Sequence, residues 1–259
     1  MQRNRLRELW EADKPALNGW CAIASPFATE LMARGGFDSL TVDIQHGALD
    51  YSSALPMIQA MAGSPVVPLA RVPWLDAGYI MKALDAGVLG VICPMINNRA
   101  EAEEFVSYMR YPPLGQRSYG PIRAAVSMPG YTTDRANAEV LAFAMIETKS
   151  GVENLEDIAA TPGLDGLYVG PSDLTLGTQE GRLPPGFDRE EPEMTEIIRR
   201  IADVCAKNGL VAGIHCGGPE YAAKAISWGY RLTTVSGDNR YISEGAMATV
   251  ADWKKANGL

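Results

Sequence analysis

The sequence predicts a (β/α)8 (TIM) barrel, built as a single domain over residues 1–259. Three observations carry that prediction. Short apolar runs alternate along the chain with segments of helical periodicity, eight times over, which is the pattern of repeated strand–helix units. Runs such as Leu141–Ile146 are apolar throughout rather than at every second residue, as strands covered on both faces must be. No glycine-rich phosphate turn follows the first strand, which disfavours the rival doubly wound open sheet.

The elements follow in order. Arg3–Trp10 places Leu6, Leu9 and Trp10 on one face and is an extra N-terminal helix suited to plug the barrel floor. Trp20–Ala24 is the first strand and Pro26–Arg34 its helix; Ser39–Ile44 is the second, followed by Tyr51–Met61. Val66–Ala70 runs into Arg71 as the third strand, and Ala77–Ala86 is the helix after it. Val88–Cys93, closed by Pro94, is the fourth strand, and Arg99–Arg110 is plainly amphipathic. A Gly/Pro/Arg-rich loop, YPPLGQRSYGPIR, leads to a short helix near Asp134–Glu139. The fifth strand is Leu141–Ile146, and a helix over Gly151–Thr161 joins it to the sixth, Gly166–Val169. Leu176–Glu193 is polar and rich in Pro and Gly, and a loop of that length is usually a lid or an interface segment. Thr195–Asn208, Leu210–Ile214, Pro219–Trp228 and Arg231–Val235 complete the alternation, and Ile242–Asn257 is the closing helix.

Composition excludes several functions. The chain carries 23 basic and 31 acidic residues, a net charge of −8, with no cluster of Lys and Arg for neutralising phosphates, so a nucleic-acid surface is not expected. No apolar run is long enough to span a bilayer, and the start of the chain lacks the apolar core of a signal peptide. The four cysteines are far apart and form no CxxC, which fits free thiols in a cytoplasmic protein.

In a barrel of this kind the chemistry sits at the C-terminal ends of the strands. Those ends carry His46, Arg71, Glu147, Asp173 and His215. Glu147 ends the fifth strand, and Asp173 follows the sixth in Gly170-Pro171-Ser172-Asp173. A crossover of this length makes the two strands parallel, so both carboxylates emerge at one edge, where they can share a divalent cation. Either acid alone is equally a helix N-cap or a solvated loop residue. His46 follows Asp43 by three residues, a spacing that suits a carboxylate fixing an imidazole tautomer; a structural histidine is the competing reading. Arg71 suits a substrate carboxylate or an oxyanion, or else a salt bridge to Asp43 or Asp76. Asp85 ends a helix before Gly87, and from spacing alone that is a helix terminus with its glycine cap. His215 and Cys216 lack metal-ligand spacing and suit packing near the mouth. Lys149 is the sole lysine placed for a Schiff base, in a polar turn that does nothing to depress its pKa. Arg117 and Arg123, in the long loop, suit solvated or interface roles better than an anionic substrate.

The segments DIQHG, RVPW, ALDAGVLGVICP, RYPPLGQRS and MIETKSGVENLEDIAATPGLDGLYVGPSDL, with the late D-N-R, resemble the HpcH/HpaI aldolase family along nearly the whole chain. The resemblance implies a class II aldolase that cleaves a 4-hydroxy-2-oxo acid reversibly to pyruvate, or hydroxypyruvate, and an aldehyde. It implies Glu147 and Asp173 as ligands of Mg²⁺, Mn²⁺ or Co²⁺, and His46 with Asp43 in the acid–base machinery. It implies Arg71 facing the keto acid, with Gly170, Pro171 and Ser172 beside it. It further implies a last helix exchanged with a partner, a hexamer built as a trimer of dimers, and Asp85 reaching a site across a subunit boundary. Two positions depart from the pattern: Gln45 stands where many members have Glu, and Met145 where some have Gln. The rival readings are a CoA-dependent lyase of the citrate-lyase or malyl-CoA type, for which no basic groove is evident, and a barrel without catalysis, against which the intact acids, His46 and Arg71 argue.

Overall fold

The computed structural model describes residues 3–259 and closes eight parallel strands into a barrel in sequence order. The strands are β1 (Ala16–Cys21), β2 (Ser39–Asp43), β3 (Val67–Arg71), β4 (Gly90–Cys93), β5 (Leu141–Ile146), β6 (Gly166–Val169), β7 (Val211–His215) and β8 (Leu232–Gly237). The helices are α1 (Arg5–Glu11), α2 (Pro26–Ala33), α3 (Tyr51–Ala60), α4 (Ala77–Asp85), α5 (Arg99–Met109), α6 (Ile122–Ser127), α7 (Thr133–Glu139), α8 (Lys149–Glu153), α9 (Leu155–Ala159), α10 (Pro171–Gln179), α11 (Pro192–Lys207), α12 (Pro219–Ser227) and α13 (Asp238–Ala256).

Two apolar layers hold this arrangement. The outer one lies between strands and helices and is built of residues such as Val42, Ala70, Val91, Ile146, Ile158 and Ile198. The inner one fills the barrel with Leu69, Ile92, Phe143, Met145, Tyr168 and Leu232. α1 plugs the floor as its apolar face predicts: Leu6 is fully buried, Trp10 packs edge-on against Phe143, and Asn4 caps the helix while donating to Leu89 O. Above the apolar floor a polar layer crosses the interior. Asn18 donates to Thr234 Oγ1 at 2.8 Å and accepts from Ser39 and Thr41, and Tyr168 bonds Thr234 at 2.6 Å. The mouth of the barrel opens above that layer.

Several boundaries differ from the sequence expectation, each for a local reason. β1 begins four residues before Trp20, because the inward Asn18 that interrupts the apolar run is satisfied inside the barrel. It ends at Cys21, because the Ala22 and Ile23 amides donate to Asp238. The helix expected over Gly151–Thr161 is two short helices parted at Asn154, whose side chain bonds Ser150 O and Asn97 O. Part of the expected 176–193 loop is helical, since α10 starts on Pro171 at its first turn and runs through Gln179. α6 forms within the Gly/Pro/Arg loop, and α13 begins at Asp238 rather than Ile242.

Candidate active site

At the end of β2 the turn Asp43–Gly47 is tight: Gly47 N donates to Asp43 O, and a Cβ on Gly47 would lie 2.3 Å from that oxygen. Asp43, 3% exposed, sits beside β3 in register with Arg71. The guanidinium grips the carboxylate with Nε to Oδ1 at 2.9 Å and Nη2 to Oδ2 at 2.7 Å. Trp20 Nε1 donates to Oδ2 at 3.0 Å, and the Gln45 and His46 amides donate to Oδ1. Burial pushes the Asp43 carboxyl up, but the Arg71 fork, the Arg71 charge and these N–H donors outweigh it, so it lies below the ordinary aspartate value. The expected Asp43–His46 imidazole pair is therefore not formed. Asp43 spends its oxygens on Arg71, Trp20 and backbone, it meets His46 through the main chain, and the His46 side chain stands exposed at the rim. Arg71 Nη1 hydrogen-bonds to no described residue, and the guanidinium lies 4.9 Å from the Trp20 ring centroid.

Across the mouth, β5 and β6 pair through Ile146 and Val169 and deliver Glu147 opposite the Gly170 turn. Glu147 is 2% exposed. Its Oε1 accepts from Met95 N at 2.9 Å, while its Oε2 is buried with no partner among the described residues. Gly170 makes room for it, since a Cβ there would stand 2.5 Å from Oε2. Burial pushes the Glu147 carboxyl up to about 7, the Met95 amide opposes, the Asp173 charge raises it further and Arg71 lowers it. Asp173 lies in the first turn of α10, partly buried and accepting no hydrogen bond from a described residue. Ser172 and Asp173 amides lie in the same turn, where a helix presents unpaired N–H groups.

The loop that supplies the Met95 amide is strained and braced. Met95 holds φ at 58°, a region that non-glycine residues rarely adopt. Asn97 fixes it: Nδ2 donates to Met95 O at 2.6 Å, Oδ1 accepts from Thr148 at 2.5 Å, and its carbonyl accepts from Ser150 and Asn154. Asn97 N donates to Glu101 at 2.7 Å, which anchors the loop to α5.

Other sequence candidates fall elsewhere. Asp85 ends α4 at the opposite, N-terminal end of the barrel, half-buried and bonded to Arg117 Nη2 at 2.7 Å. Arg117, 4% exposed, also stacks on Tyr111, and Arg123 donates to Ala86 O, so neither reaches this mouth. Lys149 is exposed and pairs with Glu180. His215 does reach the mouth: Trp20 meets its ring edge-on at 4.8 Å and Phe187 stacks on it at 4.7 Å. Burial pushes His215 down to about 3, with Arg71 adding, Asp43 opposing and Arg240 adding. The four cysteines are buried and free. Trp20, Met95, Asn97 and Phe187 escape sequence reading, because an indole in a strand or an amide in a loop carries no motif.

A barrel with a buried, half-orphaned acid, a second acid one strand on and an Arg–Asp pair facing them is an enzyme scaffold rather than a bare binding module. The chain belongs to the HpcH/HpaI aldolase/citrate lyase family, whose model matches residues 18–242. It is 33% identical over 249 residues to a hydroxypyruvate/pyruvate aldolase of Rhizorhabdus wittichii, covering 96% of this chain and 98% of that one. A 5-keto-4-deoxy-D-glucarate aldolase of Shigella dysenteriae is 31% identical over 91% of each chain. An HpcH/HpaI aldolase/citrate lyase family structure from Burkholderia cenocepacia superposes with a TM-score of 0.89 at 30% identity, over 98% of this chain and all of that one. No helix among the described residues is long and apolar enough to cross a membrane.

Proposed function

We propose that this chain is a class II aldolase that joins and cleaves pyruvate or hydroxypyruvate and an aldehyde at the mouth described above. The names of the similar aldolases support the reaction, and one observation carries the site. Glu147 presents a buried carboxylate oxygen with no partner among the described residues, in a space that a Cβ on Gly170 would fill, next to Asp173, which pairs with none of them either. That donor set suits a hard divalent cation, Mg²⁺, Mn²⁺ or Co²⁺, because two carboxylates leave most of an octahedral shell for water and substrate. Glu147 and Asp173 are the ligands in this reading. When bound, such a cation supplies Lewis-acid polarisation of the 2-oxo group and stabilises enolate charge.

The protein groups take the remaining roles. The first-turn amides of α10, beside Gly170 and Pro171, receive the keto-acid carboxylate at the positive end of the helix. Arg71 offers its free Nη1 to the developing oxyanion, and Asp43 holds the guanidinium flat and in place. His46, at the rim, is the proton partner for the 4-hydroxyl. Assembly belongs to the same proposal. α13 leaves Ile242, Met247, Val250 and Trp253 more than half exposed and exchanges onto a partner, in a hexamer where Asp85 of one subunit serves the mouth of another.

The test is metal dependence. Chelation should abolish pyruvate release from a 4-hydroxy-2-oxo acid, and Mg²⁺, Mn²⁺ or Co²⁺ should restore it. Glu147→Gln and Asp173→Asn should each fail to retain the cation by metal analysis, while Lys149→Ala stays active. Full turnover after exhaustive chelation, with a borohydride-reducible pyruvyl adduct on Lys149, would sink the reading.

A further inference from the structure

The keto-acid side of the mouth is taken by β3, β5 and β6, so the second substrate must lie toward β7, β8 and β1. That quarter is aromatic. Trp20 bonds Asp43, His215 meets Trp20 edge-on, and Phe187 stacks on His215 with an interplanar angle of 18°. Phe187 is 41% exposed, so part of its surface is left for a ligand beside the stack on His215. The segment that carries it is pinned over the mouth rather than free. Asp188 Oδ1 accepts from Gly217 N at 2.6 Å, and the Arg189 carbonyl accepts from Tyr221 Oη at 2.8 Å.

The polar groups of this quarter are already spent. Arg189 is held by Glu191 and Pro184 O, Arg240 by Glu244 and Gly217 O, and Lys224 by Glu190. Apart from Arg71 Nη1, which the oxyanion takes in the reading above, these described cations are all paired and none is left for a distal carboxylate. His215 is half-buried and its side chain hydrogen-bonds to no described residue, so a ring nitrogen is left to bond a ligand. Its depressed basicity keeps it neutral at working pH.

We propose that Phe187 and His215 form the aldehyde subsite, and that the aldehyde it selects is uncharged and flat. The proposal rests on the aldolase reading above. Stacking against a partly exposed aromatic ring favours a conjugated ring, and a second carboxylate would be buried there without a partner.

The experiment uses the full-length protein with Mg²⁺ and pyruvate, and compares kcat/KM for benzaldehyde and for succinic semialdehyde. The wild type should favour benzaldehyde at least tenfold. Phe187→Ala should lower that ratio about tenfold, and Phe187→Tyr, which keeps the ring, should preserve it. A wild-type preference for the semialdehyde, or a ratio that Phe187→Ala leaves in place, overturns the proposal. Exchange of pyruvate methyl protons in D₂O reports the donor half-reaction alone. If the wild type shows exchange with the wrong aldehyde preference, only the subsite is wrong; if it shows no metal-dependent exchange, the aldolase reading falls and the subsite with it.

Discussion

Arg71 does two things with one side chain. It holds the Asp43 carboxyl below the ordinary aspartate value against the effect of burial, and it leaves Nη1 without a partner among the described residues, the nitrogen proposed above to face the substrate. Lysine keeps the charge but cannot make the paired Nε and Nη2 bonds to Asp43. Arg71→Lys should therefore lower kcat/KM by about 10²-fold, the worth of one oxyanion donor. Steady-state kinetics checks it, and unchanged values would move Arg71 out of the chemistry. Arg71→Ala should also cost about 3–5 kcal/mol of stability, because Asp43 is left buried and unpaired. His215 gives a pH signature. Its folded pKa lies below the unfolded value, so between about 6.5 and 3 the unfolded chain binds the extra proton. Its contribution is complete above pH 6.5 and is lost as pH falls toward 3. His215→Phe should keep the stack and flatten the loss of thermal midpoint between pH 7 and pH 5. An equally steep loss in the variant would assign the acid sensitivity to other groups.

At the scale of the element, the loop between β4 and α5 shows how a site is aimed by residues that touch no substrate. Met95 accepts an unfavourable backbone angle to put its amide on Glu147, and Asn97 ties that loop to the turn after β5. With Glu147 as the metal ligand proposed above, removing such a brace should cost the 10–100-fold in metal affinity typical of outer-shell partners. Asn97→Ala should weaken Mn²⁺ binding by about that factor, read by titration of the metal-free protein. Met95→Gly, which suits φ of 58°, should retain affinity. Equal affinity in Asn97→Ala and wild type would make the network purely structural. This element was not legible in the sequence: PMINN reads as a polar connection, and its purpose appears only once β4 lies beside β5. The split at Asn154 was hidden for the same reason, since the partner that interrupts the helix, Asn97, is 57 residues away.

At the scale of the molecule, α13 is the helix with the longest uncovered apolar face, though α2 and α6 also expose Phe27, Leu31, Ile122 and Val126. Asp238 is the one buried residue of α13, and Ile242, Met247, Val250 and Trp253 face outward. Exposed apolar residues gathered on one helix in this way call for a partner surface. The protein should sediment as an oligomer at micromolar concentration. Val250→Glu with Trp253→Glu should dissociate it and lower activity, if Asp85 completes a neighbouring mouth. A monomeric, fully active wild type would contradict both halves of that expectation.

The sequence by itself determined the barrel and its order, because eight buried runs separated by helix-length crossovers admit few other topologies. It also placed Arg71 and Glu147 at strand ends and Asp173 just past β6, since a strand's last residue can be read from where its apolar run stops. Only the tertiary structure decided what those residues touch. Asp43 has an imidazole three residues away and a guanidinium 28 residues away, and it takes the guanidinium because β2 and β3 lie in register and the turn points His46 outward. Glu147 has an oxygen without a partner among the described residues because Gly170, just past the next strand, leaves space and no side-chain donor. His215 is pushed below the ordinary histidine range because rings from β1 and from the segment before α11 close around it. Burial, register and charge are properties of neighbours in space, and a linear pattern records only neighbours in the chain.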